Sequence, residues 1–359
     1  MSEGQYFGMD SLPSAEFLSV AAGPEGQIYV VVVGHPAIHV FGSGRGYVRR
    51  IGREGRGPGE FRSAPQIGFV GDTLWALDES SRRASFFTSD GELIRTASFA
   101  QINTSAEAHS IETTGPVAIL SDGHVLLRQE PPMVALAGIA TVNKKLKLLR
   151  ALFSVECAVA TARLPNDFRL VLRRPWSFSD LLSVSSNGVH IAVLSRPRVG
   201  DDGEGQYTVA RFDSGGRPVF RRTFTYEANR LRTEEVNVYI DSKVEDVVSA
   251  APLPRGRVRE ALRDAIDFPK YRPGVPAGGG DPIHGDMLVA TDGLIWIGRD
   301  TRGSQRLWQI LDGYGRLQAV LRIPEKIHVV EATSSAVWGA SADSLGVPRL
   351  VRLEVGRQK

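Results

Sequence analysis

A polar turn holding Gly or Asp, followed by a short apolar run, recurs along this chain. It reads Glu25-Gly26-Gln27-Ile28-Tyr29-Val30, then Gly71-Asp72-Thr73-Leu74-Trp75-Ala76, then Asp122-Gly123-His124-Val125-Leu126-Leu127. It returns as Asn187-Gly188-Val189-His190-Ile191-Ala192 and Asp292-Gly293-Leu294-Ile295-Trp296-Ile297, with a degenerate sixth copy at Ser335-Ala336-Val337-Trp338-Gly339. Each copy reads as a tight turn opening a β-strand. A strand, a Gly-rich turn and another strand follow, as at Ala84-Ser85-Phe86-Phe87 before Ser89-Asp90-Gly91 and at Leu307-Trp308-Gln309-Ile310 before Asp312-Gly313. The aromatic-slot positions Tyr29, Trp75, Leu126, Ile191, Trp296 and Trp338 lie 46, 51, 65, 105 and 42 residues apart. Most of these spacings fit one blade of about four antiparallel strands plus its loops. The expectation is an all-β chain, a six-bladed β-propeller forming a single domain over residues 1–359.

The 105-residue gap requires an insertion before the fifth blade, placed at 241–284. Ser242-Lys243-Val244-Glu245 has capping-box spacing, and Val258, Leu262 and Ile266 recur on one face of a short helix. The Pro/Gly-rich stretch 268–282 must be loop. So small an insert is not expected to bury a core of its own, and it is placed across one end of the barrel. The last unit ends in a third strand, Leu350–Val355, so its fourth must come from the N-terminal side. Residues 3 to 9 are the candidate, and their weak strand character predicts poor closure or further residues upstream.

Composition adds exclusions. One cysteine, Cys157, rules out an intrachain disulfide framework and a cysteine-built zinc site. No apolar run is long enough for a transmembrane helix, and the N-terminus has no secretory leader pattern. The 36 arginines are scattered and the net charge is only +3, so no nucleic-acid partner is expected.

The stretch from Phe41-Gly42-Ser43-Gly44 through Gly52-Arg53-Glu54-Gly55-Arg56-Gly57-Pro58-Gly59-Glu60-Phe61 resembles the join between two NHL-type repeats, with Gly42 in place of the usual Asp. The chain is similar to bacterial six-bladed NHL-like propellers, best over residues 17 to 100. That resemblance implies a helical insertion before the fifth blade and a protein commonly exported, often as a lipoprotein. It is nearly silent on activity.

Two functional expectations follow. The first is a non-enzymatic binding propeller, a monomer, that recognises a protein or small-molecule ligand at a channel mouth without a cofactor. The insert builds its surface, with Trp176, Tyr271 and Arg272 as contacts, because aromatic residues and Arg supply much anchoring energy. The second is a hydrolase or lyase assisted by a divalent cation. Asp281, His284 and Asp286 are its metal candidates, with His109 as a further ligand or acid–base candidate. No Gly-x-Ser-x-Gly elbow is present, and Cys157 sits in an apolar, strand-like setting that fits an inert thiol.

Overall fold

A computed structural model describes residues 5–7, 17–42, 46–98, 102–103, 113–129, 134–141, 146–156, 159–176, 180–196, 199–275, 286–342, 344 and 348–355. The six turn-plus-apolar stretches all become second strands of antiparallel sheets. The first sheet runs Phe17–Ala22, Ile28–Val32, Ile38–Gly42, Gly46–Ile51, and the second Gln66–Val70, Thr73–Asp78, Arg83–Phe87, Leu93–Ser98. The third runs Thr113–Ile119, His124–Gln129, Val134–Thr141, Leu146–Glu156, with Ile102–Asn103 added parallel to its last strand. The fourth runs Leu181–Val184, His190–Ser195, Glu204–Asp213, Pro218–Glu227. The fifth runs Met287–Val289, Ile295–Gly298, Gln305–Leu311, Leu317–Pro324. The sixth runs His328–Ala332, Ala336–Ala342, Pro348–Glu354 and is completed by Gln5–Phe7. That closing strand comes from the expected N-terminal segment, and its pairing is brief: Gln5 with Arg352, Tyr6 with Val351, Phe7 with Leu350.

Neighbouring sheets meet largely through their first strands: first with second, second with third, fourth with fifth, fifth with sixth, and sixth with first. Third and fourth join where Ser121 N donates to Gly188 O at 3.0 Å and where Leu120 and Leu126 pack with Leu182 and Ile191. Every aromatic-slot residue is buried in one of these inter-sheet seams. Tyr29, for example, meets Phe69 of the second sheet edge-on at 4.9 Å. This is the layering of a β-propeller, in which sheets pack face to face and short strand edges point outward.

The insertion departs from expectation in two ways. Helix α1 spans Thr233–Ala250, so Ser242 lies in its middle and does not open it. Glu235 accepts from Arg232 N–H at 2.8 Å and holds the true start. The apolar face of α1 extends upstream through Ile240 and Val236, and that face, not the capping-box spacing, sets the length. Helix α2, Arg255–Ala265, does bury Val258 and Leu262 as predicted, with Ile266 just past its end.

The second departure is hidden in the ordinary-looking 65-residue gap. A hairpin, Val159–Arg163 with Arg169–Arg173, stands outside the third and fourth sheets and packs against the helices. Ala160, Ala162, Leu164, Leu170 and Leu172 meet Ile240, Val244, Val258 and Leu262 in one buried cluster. Neither insertion could cover its apolar face alone, and together they do. The helices are also matched in charge: Asp241 pairs with Arg259 and Glu245 with Arg255, while Asn237 accepts from Arg263. These are three antiparallel rungs spaced one turn apart.

Candidate functional site

The turns between first and second strands converge at one end of the sheets. There they line a cavity of about 410 Å³ with Ala22, Gly23, Gln27, Phe69, Gly71, Asp72, Asn187, Thr291, Thr333, Ser335, Trp338 and Arg352. Among the described residues, all five four-stranded sheets contribute to it and the five-stranded third does not. The close approach of the turns depends on glycine. A Cβ on Gly188, whose φ is +67°, would stand 2.5 Å from Ile119 O. On Gly68 it would stand 2.3 Å from the Trp75 ring and 2.7 Å from Ser186 O.

The wall is held by hydrogen bonds that cross from sheet to sheet. Asn187 Nδ2 donates to Thr291 O at 2.9 Å, while its Oδ1 accepts from Ser185 Oγ at 2.7 Å and Val189 N at 3.2 Å. Phe69 N donates to Ser186 O at 2.6 Å, tying the second sheet to the fourth. Asp292 accepts from Ser334 N at 2.7 Å and ties the fifth to the sixth. Arg352 is paired with Glu354 at 2.7 Å and lies over the Trp338 ring.

Behind this wall sits Glu331, near the end of the sixth sheet's first strand and only 5% exposed. Its Oε1 accepts from Ala332 N at 2.9 Å, and its Oε2 takes a long 3.5 Å contact from the amide of the cavity-lining Ala22. Burial drives its carboxyl up to about 7; the Ser186 hydroxyl and the two amides pull against that, and Asp292 adds to it. Ser186 Oγ is itself buried and makes no well-formed hydrogen bond in the protein. Among the described residues no Lys, Arg or His forms an ion pair with Glu331. Sequence reasoning passed over Glu331. The available signal was an acid inside the apolar run Ile327-His328-Val329-Val330-Glu331-Ala332, next to a turn.

The expected contact residues occupy the opposite strand ends, where the insert joins the sheets. Trp176 meets Tyr239 at 5.7 Å and Phe268 at 6.3 Å, closing the edge of the insert's core. Tyr271 donates to Asp201 O at 3.1 Å on a hairpin tip of the fourth sheet. Arg272 is shared between Glu235 at 2.7 Å and the buried Asp300, and Arg302 returns to Glu235 at 3.1 Å. Arg272 and this ion network therefore couple α1 to the fifth sheet.

Of the metal candidates, Asp281 and His284 lie outside the described residues, as do His109 and Cys157. Asp286 is bound by Arg306, which also holds Glu325. Burial raises the Asp286 carboxyl and Arg306 opposes that. Nearby Arg196, 3% exposed, donates to Val275 O, and burial brings its guanidinium down to about 10. Among the described residues no three His, Cys, Asp or Glu side chains gather closely enough to hold a metal ion. Among them, too, no helix is long and apolar enough to cross a membrane.

No protein-family model and no curated protein matches the chain. Solved structures do resemble it along nearly its whole length. A member of the DUF4221 family from Bacteroides vulgatus ATCC 8482 aligns over 99% of this chain and 96% of its own, at 10% identity and a TM-score of 0.54. The WD40 β-propeller domain of Doa1 aligns over 99% and 97%, at 11% identity and a TM-score of 0.41. Virginiamycin B lyase from Staphylococcus aureus aligns over 99% and 99%, at 8% identity and a TM-score of 0.40. Identity this low speaks to fold alone.

Proposed function

We propose that this protein is a six-bladed β-propeller of the NHL-repeat-like type that serves as a binding module, taking a small polar ligand at the turn-lined mouth of its channel. The observation that carries the reading is the 410 Å³ cavity, built by turns from five sheets and framed by polar groups on Asn187, Thr291, Asp72 and Thr333. That volume lies in the range of small-molecule sites, roughly 300–1,000 Å³. A ligand seated there would touch several blades at once, so it would stabilise the ring by mass action. The insert at the other end braces the fourth and fifth blades in this reading. Trp176, Tyr271 and Arg272 then support the fold, because Arg272 already has two acidic partners.

Fragment soaking into crystals tests this. Hits are expected at the mouth, against Trp338 and Asn187, and they should vanish in Ser335→Trp, whose indole would fill the cavity. Hits gathered instead around Trp176, Tyr271 and Arg272, and unaffected by Ser335→Trp, would move the site to the insert and overturn the reading.

A further inference from the structure

The proposed mouth site leaves one group without a counterpart. Glu331 is buried immediately behind the cavity-lining Ala22, with two backbone amides and an otherwise unpartnered Ser186 hydroxyl beside it. A carboxylate out of water and without a counter-charge is costly, so it either holds a proton or faces a cation. Among the described residues, the charge that acts on it directly has its own sign. From the fifth sheet it meets Asp292, and the cavity itself carries Asp72. The first sheet offers only the Ala22 amide, the fourth Ser186, and its own strand the Ala332 amide. Among the described residues lining the cavity, the one cation, Arg352, is occupied by Glu354 and stacked on Trp338.

We infer that the mouth selects ligands carrying a protonated amine, whose positive charge is balanced by the Glu331 carboxylate just behind the Ala22 wall. This rests on the reading of the mouth as the ligand site and names the chemical class it takes. An ammonium group presents up to three N–H donors and no acceptor, which suits a wall rich in carboxylate, hydroxyl and carbonyl oxygens. A carboxylate ligand would meet three like charges, and a neutral alcohol would leave Glu331 uncompensated.

Binding is then linked to a proton. Glu331 is half protonated near neutrality, and a cation beside it favours the ionised form. Ammonium binding therefore releases a proton. Its affinity rises with pH up to about 7 and levels off above that, while the amine itself, like that of Lys, stays charged to about pH 10.

The experiment uses the full chain and three matched probes: n-butylammonium, n-butanol and butyrate. Binding is read from the indole N–H resonance of Trp338, identified by its loss in Trp338→Phe. The expected result is a preference for butylammonium, with affinity rising about tenfold from pH 5.5 to pH 8. Glu331→Gln, which keeps the shape and can still accept the Ala332 amide through its one carbonyl oxygen, should abolish both the preference and the pH dependence. Asp72→Asn, on an exposed turn, should reduce the preference by a smaller factor and so separates surface charge from the buried acid. Equal binding of all three probes, or a pH dependence that survives Glu331→Gln, overturns the inference and leaves the mouth as a ligand site. A shift produced equally by potassium or calcium ions at the same concentration also overturns it, because it removes the requirement for an amine. If no probe moves the Trp338 resonance, both the inference and the mouth reading fall.

Discussion

The stacked sheets and the helix–hairpin insert are both sealed by buried apolar residues, yet they are put together in opposite ways. Each sheet is made from strands consecutive in sequence, and each completes its pairing locally except the sixth, which borrows Gln5–Phe7. The insert joins residues 159–173 to residues 233–266, with the whole fourth sheet between them. The sheets carry large side chains at a repeated position, Tyr29, Trp75, Trp296 and Trp338, each pressed into a seam between neighbours. The insert carries mostly Ala, Val, Leu and Ile with no repeated slot. Repetition makes the sheets depend on one another in series, whereas the insert leans on them through Arg272, Glu235, Asp300 and Arg302. The two regions should therefore lose structure separately.

The largest effect tests that separation directly. Trp296→Ala removes a fully buried indole from the seam between the fifth and sixth sheets and should cost about 3–5 kcal/mol. Leu262→Ala removes a fully buried side chain from the insert core and should cost about 2–5 kcal/mol locally. Hydrogen exchange separates them: the Trp296 variant should lose protection across the sheets, the Leu262 variant over 159–173 and 233–266 only. Equal loss in both places for Leu262→Ala would make the insert part of one cooperative unit.

Next in size is Glu331, which sharpens the contrast by placing a titrating acid on the sheet side. Its folded pKa of about 7 is above the ordinary Glu value of about 4.3, so the folded state holds the proton more tightly. The stability it contributes is complete below about pH 4.3 and falls as pH rises to about 7, by roughly 3–4 kcal/mol in total. Urea midpoints of wild type and Glu331→Gln should therefore diverge between pH 4.5 and pH 8, the variant gaining relative to wild type. Parallel curves would mean that Glu331 does not titrate in this range.

The smallest effect belongs to the insert surface. Arg259→Ala breaks a partly exposed rung to Asp241 and should cost under about 1 kcal/mol. The difference in Tm from wild type should shrink further in high salt, since screening weakens such pairs. A loss that salt leaves unchanged would point to the packing of the arginine stem on α1.

The sheets were readable from sequence because their signal is short-range. A glycine turn and an alternating apolar run are complete within a few residues, and all six copies landed on second strands. Val258, Leu262 and Ile266 were readable for the same reason, as a helical period. The start of α1 was misplaced because Ser242 and Glu245 satisfy a spacing rule that the surrounding apolar face overrides. The hairpin at 159–173 was missed because a 65-residue gap does not say how its residues divide between blade and insert. Trp176, Tyr271 and Arg272 stood out by residue type, and only the tertiary structure shows which neighbours they hold.

Sequence alone determined the β-rich class, the turn positions, the slots that fill the seams and the presence of a helical insert. These follow from local periodicity and from glycine's access to positive φ, which need no distant partner. Tertiary structure alone decided that two separated insertions share one core, and that turns from five sheets meet in a cavity. It also decided that Glu331, unremarkable in its own segment, stands buried with no counter-charge among the described residues. Burial and the sign of neighbouring charge are properties of the assembled chain, because the groups that set them lie up to 309 residues apart.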